Sequence, residues 1–377
     1  MIYPRSNDGK PQAPVRSRLL ENVNGLTMHV LEAGFEVENR PCVLLLHGFP
    51  ELAYSWRKVM PMLADAGFHV LAPDQRGYGR TSGSDDRYDG DLASFHILNL
   101  VKDILGLVVA LGIDRVAAVV GHDFGSPVAA WCALLHPEVF RSVVLLSAPF
   151  SGAPRPRAPD APSPMAAISA SLAALSPPRK HYQAYYSTRA ANADMQDWPP
   201  GIHAFLRAYY HCKSADWRQN TPFPLTSWTA TELARMPKYY IMDLDQGMAG
   251  TVAEMAPTAA EVSACSWLPD AELRIYSDEF ARRSFQGGLQ WYRSMLDPHA
   301  AARLHEFSAR RIDVPCCYIA GKSDWGTHQS PGALQAMSSS ACSQFRGVHL
   351  IAGAGHWVQQ EQPAAVSRVL IEFLAGG

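Results

Sequence analysis

The residues best placed to do chemistry lie in GHDFG, Gly121 to Gly125. The apolar run Val116 to Val120 precedes them, and an apolar stretch from Pro127 to Leu135 follows. A small-x-nucleophile-x-small segment between a strand and a helix is a nucleophile elbow, a bend so tight that only small residues fit around the reactive one. Its centre is Asp123, where serine is the commoner nucleophile. Free N–H groups and partial positive charge at the start of the following helix keep this carboxylate ionised. Pro127 suits the first turn of that helix, where its missing N–H costs little. A carboxylate attacks amides poorly but attacks an sp³ carbon bearing a good or strained leaving group. The product is an ester between enzyme and substrate, and water must then attack the carbonyl of Asp123 itself. A helix cap alone is the poorer reading of Asp123, given the flanking glycines and the strand–helix setting.

An elbow calls for an acid and then a histidine later in the chain. Asp324 follows the apolar run VPCCYIAG in GKSDWG, and His356 follows VHLIAG in GAGHW. His356 would take a proton from water, while Asp324 would orient the imidazole and stabilise its charged form. Asp313 and Asp297 are alternatives to Asp324. The other usual place for the acid, after RSVVLLS, holds Ala148, Pro149 and Phe150, which favours Asp324. HGFP, His47 to Pro50, ends a further apolar run. The backbone N–H groups of Phe49 and Phe124 are candidates for an oxyanion hole, in which one donor typically supplies about 10²–10³ in rate. His47 itself reads as structural.

These groups need a scaffold that brings distant turns to one edge. PCVLLLHG, HVLAPDQRG, RVAAVVGHD and RSVVLLSAP are short apolar runs ending in turns, as buried strands are. Helix-like stretches separate them, SWRKVMPMLADAG and HILNLVKDILGLVVALG. In the latter, Ile97, Leu100, Val101, Ile104, Leu105 and Val108 share one face, and Gly112 offers a stop. Strands alternating with helices predict an α/β fold with a mostly parallel sheet flanked by helices. Ser151 to Pro178 is rich in Pro, Ala and Ser and reads as a linker. From Arg179 to about Arg303 come aromatic-rich, helix-like segments such as GIHAFLRAYYHCK and GGLQWYRSML, without strand-like alternation. The α/β rhythm then returns with VPCCYIAG, VHLIAG and a last helix, PAAVSRVLIEFL. The expected organisation is a core of residues 1–150 and 305–377, interrupted by a helical cap over 151–304.

Composition narrows the function classes. Of 377 residues, 47% are hydrophobic and 18% charged, a globular balance rather than a disordered one. The net charge is 33 − 35 = −2 with no basic run, so no footprint for nucleic acid or an anionic membrane is present. The start, MIYPRSNDGKPQAPVRSR, is polar and does not read as a secretory signal. The apolar runs are too short to span a bilayer. Seven scattered cysteines without CxxC spacing suit a reducing, cytoplasmic setting.

HGFPELAYSWR, DQRGYGRTSG, GHDFG, KSDWG and GAGHW together resemble the epoxide hydrolases of the α/β-hydrolase superfamily that use an aspartate nucleophile. The resemblance runs along the whole chain after the N-terminal tail. It implies an α/β-hydrolase core with a helical cap, and Gly77 to Thr81 shaping the site. It also implies two cap tyrosines that hydrogen-bond the epoxide oxygen. HYQAYY points to Tyr182, with Tyr185 and Tyr186 as competitors, and FQGGLQWYR points to Tyr292. Tyr240, Trp291 and Trp325 are candidates for the substrate pocket, and Tyr239 and Tyr240 are spare donors. The aspartate-using haloalkane dehalogenases usually carry side-chain N–H donors where this chain has Phe124 and Phe49. Fluoroacetate dehalogenases usually carry Arg after the nucleophile. The expected reaction is hydration of a small, uncharged, apolar epoxide, with no cofactor or metal. The alternatives are a dehalogenase drawing on Trp198, Trp217, Trp228, Trp267 or Trp291, a lactone-type hydrolase, and a non-catalytic binding protein. The aromatic-rich cap also offers a surface for a homodimer.

Overall fold

Residues buried on both faces of a sheet leave no room for polar alternation, and this shapes the centre of the molecule. The computed structural model describes residues 13–156 and 163–376. Residues 1–12 of the polar start and 157–162 of the linker lie outside the described residues. The described residues form ten strands: β1 Val15–Val23, β2 Leu26–Ala33, β3 Cys42–Leu46, β4 His69–Pro73, β5 Val116–His122, β6 Val143–Leu146, β7 Arg179–His181, β8 Ile241–Asp243, β9 Ile312–Gly321 and β10 Cys342–Ile351. Eight of them make one sheet in the order β1-β2-β4-β3-β5-β6-β9-β10. The β1–β2 and β2–β4 pairs are antiparallel, and every pair from β4 to β10 is parallel.

Helices α1 Met60–Asp65, α2 Ile97–Ala110 and α3 Gly125–Leu135 alternate with the core strands. A helical cap is inserted between β6 and β9. It holds α4 Pro164–Ala173, α5 Tyr182–Tyr186, α6 Ala190–Gln196, α7 Ile202–Lys213 and α8 Ala230–Leu233. It continues with α9 Met248–Ala253, α10 Ala259–Ala264, α11 Asp270–Arg283, α12 Gln286–Leu296 and α13 Pro298–Ala302. Three helices end the chain: α14 Ala333–Ala336, α15 Val358–Glu361 and α16 Pro363–Ala375. Side chains alternate across β3, so Leu44 and Leu46 join one apolar core while Val43 and Leu45 join another. Each such fully buried Leu or Val contributes about 1.5–3 kcal/mol.

The expected elements form with four corrections. β1 and β2 precede the first strand foreseen, and β1 is an edge strand with mostly exposed side chains. SWRKVMPMLADAG is not one helix: a single turn over Ala53–Trp56 precedes α1, which carries Pro61 in its first turn. The linker contains α4, whose Ser163 side chain accepts the Ala166 N–H at 3.0 Å. Ser followed by Pro is a helix-start signal that the surrounding Pro and Ala content hid. The cap also contains a two-stranded antiparallel sheet, β7 with β8. Strands of three residues are too short to alternate visibly.

The topology places the chemistry. Leu46 pairs with Gly121, so β3 and β5 end side by side. From β3 the chain goes next to β4 on one side and later to β5 on the other, which makes this the switch point of the sheet. Crevices at such points, outside the carboxyl ends of the strands, are where open α/β sheets bind ligands.

Candidate active site

Asp123 follows β5 with φ +50°, in the left-handed region. A Cβ on Gly121 would collide with the Gly125 carbonyl, and one on Gly125 with that of Leu46, so the bend tolerates only glycine at both places. The carboxylate is buried, 7% exposed. Its Oδ1 accepts the Phe49 N–H at 2.9 Å. Its Oδ2 lies 3.2 Å from His356 Nε2. That approach is outside hydrogen-bonding angles, and Nε2 makes no hydrogen bond among the described residues. Burial works against charge on Asp123, but the adjacent imidazole of His356, then Lys213 and His122, outweigh it and hold the carboxyl well below the usual range. Phe124 heads α3, and its ring stands edge-on to Trp291 and Tyr292.

His356 Nδ1 is 3.1 Å from Asp324 Oδ1, which also accepts the Gly326 N–H at 2.7 Å. Both residues are 1% exposed. Burial opposes charge on Asp324, and His356 and the Gly326 N–H pull its carboxyl down again. The alternatives are occupied elsewhere: Asp313 accepts from Ser343 Oγ at 2.7 Å, and Asp297 caps α13 through the His299 N–H at 2.9 Å. Asp324 is the acid that meets the histidine.

Two phenols belong to the same cluster. Tyr182 and Tyr292 are 4% and 3% exposed, with ring centroids 6.2 Å apart. Burial, and after it the charge of Asp123, raise both hydroxyls above their ordinary range. The Tyr182 hydroxyl donates to Gln329 Oε1 at 3.0 Å and accepts from Gln183 Nε2 at 3.2 Å. The Tyr292 hydroxyl makes no hydrogen bond among the described residues. Of the two competitors, Tyr186 donates to Tyr209 at 3.1 Å and Tyr185 packs under Lys180. Tyr240 stands edge-on to Tyr182, its hydroxyl buried and unpartnered among the described residues. The Tyr239 hydroxyl is used on Asn220.

Trp291 forms a wall. Its Nε1 donates to Arg76 O at 2.9 Å, and with Phe124 it borders an apolar cavity of about 280 Å³ beside α2 and α3. Leu100, Pro127, Trp131 and Met295 line the rest of that cavity. Trp325 packs against Phe223 instead. Gly77 of the DQRGYGRTSG turn packs backbone to backbone on Gly287 of α12, a structural contact between core and cap. His47 is also structural, its Nε2 accepting the Gln75 N–H at 3.1 Å.

Several neighbours were not foreseen. Glu51 Oε2 takes His122 Nδ1 at 2.6 Å and the Gly48 N–H at 3.1 Å, while Oε1 takes Gln359 and Gln360. His122 Nε2 donates to His356 O at 2.7 Å. Burial disfavours both charges, yet Glu51 raises His122 and His122 lowers Glu51, so each favours the charged form of the other. Lys213 is buried among the rings of Tyr209, Tyr240 and Trp357 at 5.0–5.6 Å, and its carbonyl accepts the His356 N–H at 2.9 Å. Burial lowers its ammonium despite Asp123 and Asp324. Glu51 stands directly after HGFP and His122 directly before Asp123, the one signal that their positions give. Among the described residues no cluster of three His, Cys, Asp or Glu could hold a metal ion. No helix among them is long and apolar enough to cross a membrane.

Residues 41–181 match the α/β hydrolase fold family. The chain is 32% identical to epoxide hydrolase B of Mycobacterium tuberculosis over 94% of its own length and 97% of the relative's. It is 33% identical to epoxide hydrolase A of the same organism over 95% and 97%. Among solved structures, an epoxide hydrolase from an endophytic Streptomyces superposes with a TM-score of 0.75 at 29% identity, covering 97% of this chain and 96% of that one. Epoxide hydrolase I of potato, Solanum tuberosum, superposes with a TM-score of 0.73 at 28% identity, covering 96% and 100%.

Proposed function

The chain belongs to the epoxide hydrolases of the α/β-hydrolase fold, and from that premise we propose that it converts an apolar epoxide to a vicinal diol through an ester on Asp123. The observation that carries this reading is the division of labour on one carboxylate: Oδ1 rests on the Phe49 N–H while Oδ2 lies beside His356, with both buried phenols close enough to feel the charge of Asp123. Oδ2 attacks a ring carbon, and the ring C–O bond breaks. Tyr292, with Tyr182, gives the departing oxygen its proton. His356 Nε2, held by Asp324, then takes a proton from water as the hydroxide adds to the Asp123 carbonyl carbon. The oxyanion forms on Oδ1, against the Phe49 N–H and the neighbouring Phe124 N–H. Its collapse breaks the ester and leaves Asp123 as the carboxylic acid; the diol leaves with the proton of the imidazolium, and the proton that Asp123 gives up restores the tyrosine. The sum is epoxide plus water giving diol.

The dehalogenase reading loses support because the indole N–H groups of Trp291 and Trp267 are used on Arg76 O and Asp216. The wall of Phe49, Phe124 and Trp291 suits an uncharged substrate. Seven free cysteines favour a reducing compartment, the cytoplasm.

The test is His356→Gln mixed with an aryl epoxide. The expected result is a protein heavier by one epoxide, with the adduct on the peptide carrying Asp123. A variant that stays unmodified while the wild-type enzyme turns the same epoxide into diol would contradict the reading.

A further inference from the structure

The reaction above leaves one buried carboxylate unused. Glu361 ends α15, on the turn that follows His356. Its Oε2 accepts the N–H of Ala215 at 2.8 Å and that of Gly355 at 2.9 Å, and its Oε1 accepts that of Trp357 at 3.0 Å. Gly355 and Trp357 flank His356, whereas Ala215 belongs to the cap segment that leaves α7. No Lys or Arg pairs with this carboxylate among the described residues.

The same joint is tied in other ways. The His356 N–H donates to Lys213 O at 2.9 Å. A Cβ on Gly355 would collide with the backbone of Lys213, Ser214 and Ala215, so the two strands of chain touch without side chains between them. The cap therefore rests directly on the peptide of the residue that must act as base. A buried carboxylate with no cation is costly unless its hydrogen bonds are all made, and each N–H left bare is costly too. Loss of any one partner weakens the hold on the rest.

We propose that Glu361 is a positioning residue that latches the seated cap to the His356 loop, keeping the imidazole between Asp123 and Asp324. This rests on reading His356 as the base. Ester formation needs Asp123 and the phenols of α5 and α12, and α12 is held on the core apart from this joint, by Gly287 against Gly77, so this step does not depend on the latch. Ester hydrolysis needs the imidazole aligned and depends on it.

The test is Glu361→Gln, which keeps the volume but turns an amide NH₂ toward at least one N–H donor. Burial raises the Glu361 carboxyl to about 8, against the three N–H groups that favour its charge, so the comparison is made at pH 9. Single-turnover rates are followed for each half-reaction. The expected result is ester hydrolysis slowed on the order of 10- to 100-fold, the scale of a small misplacement at a reacting centre. Ester formation stays close to wild type, so the ester accumulates and kcat and KM fall together. Equal slowing of both steps, or of neither, overturns the proposal. Should the variant fail to fold, amide hydrogen exchange on the unaltered enzyme decides. Ala215, Gly355 and Trp357 exchange in one common opening if the latch exists, and in separate events if it does not. If His356→Gln traps no ester, the reading beneath has failed; if it does and Glu361→Gln behaves as wild type, only the latch has.

Discussion

The two phenols are not equivalent, and that inequality can be measured. The Tyr292 hydroxyl has no partner among the described residues, whereas Tyr182 must release Gln329 before its proton can serve the epoxide oxygen. Removing one donor to a developing oxyanion costs about 10²–10³ in rate. Releasing a hydrogen bond costs about 0.5–1.5 kcal/mol, which takes roughly two- to tenfold off what Tyr182 can contribute. Tyr292→Phe is therefore expected to slow ester formation by about 10²–10³, and Tyr182→Phe by severalfold less. Replacing both should leave ring opening undetectable. The rings themselves stay, so the edge-on packing of Tyr292 on Phe49 and Phe124 at 5.6 and 5.1 Å is kept and the thermal midpoint should barely move. The assay is single-turnover stopped flow, read by tryptophan fluorescence, since the Trp357 ring lies 4.7 Å from that of His356. A larger loss in Tyr182→Phe than in Tyr292→Phe, or near wild-type rates in both, would refute the argument.

Two further outcomes follow from the charges. Asp324→Asn keeps an acceptor for the Gly326 N–H but removes the charge that fixes the imidazole, so ester hydrolysis should fall by on the order of 10²–10⁴ while the ester still forms. Rapid-quench mass spectrometry would see the ester persist, and a normal decay would count against Asp324 as the orienting acid. Asp74 is buried and held at about 2 against burial by His29, with the N–H of Arg80 and of Ala53 on its oxygens. A carboxyl lowered on folding stabilises the fold above its unfolded value of 3.8 and loses that effect as pH falls through about 2. Asp74→Asn should thus cost about 2 kcal/mol at pH 7, and the gap from wild type should close below pH 4. A gap that stays constant in urea melts from pH 7 to 2 would reject this.

What could be read from the chain was what depends on neighbours in sequence. The elbow, the buried parallel strands and the turns carrying Asp324 and His356 are all local: a run of apolar residues, then glycines, then one reactive side chain. In α2 the periodicity located Leu100, Val101, Ile104 and Val108 on the buried face, while Ile97 and Leu105 are only half-buried and it missed Leu107 and Asp103, the latter paired with Arg76. What escaped was set by tertiary contact. Glu51 and His122 are 71 residues apart, and His122 meets His356 across 234. Nothing near Lys213 marks it as buried among rings, because a lysine at the end of an amphipathic helix reads equally well as a solvated one. β7 and β8 owe their pairing to the fold of the cap and not to residues within them. The choice of Tyr182 over Tyr186 needed the bond from Tyr186 to Tyr209, again a contact between elements.

Attack by Asp123 and attack by water leave different oxygens in the diol, and every step above depends on which of them occurs. A single turnover in oxygen-18 water, with enzyme in excess over epoxide, separates them most directly. If Asp123 is the nucleophile, the new oxygen of the first-turnover diol is the ordinary isotope taken from Asp123, and the peptide containing Asp123 gains oxygen-18. A first-turnover diol already carrying oxygen-18, with Asp123 unlabelled, would contradict attack by Asp123.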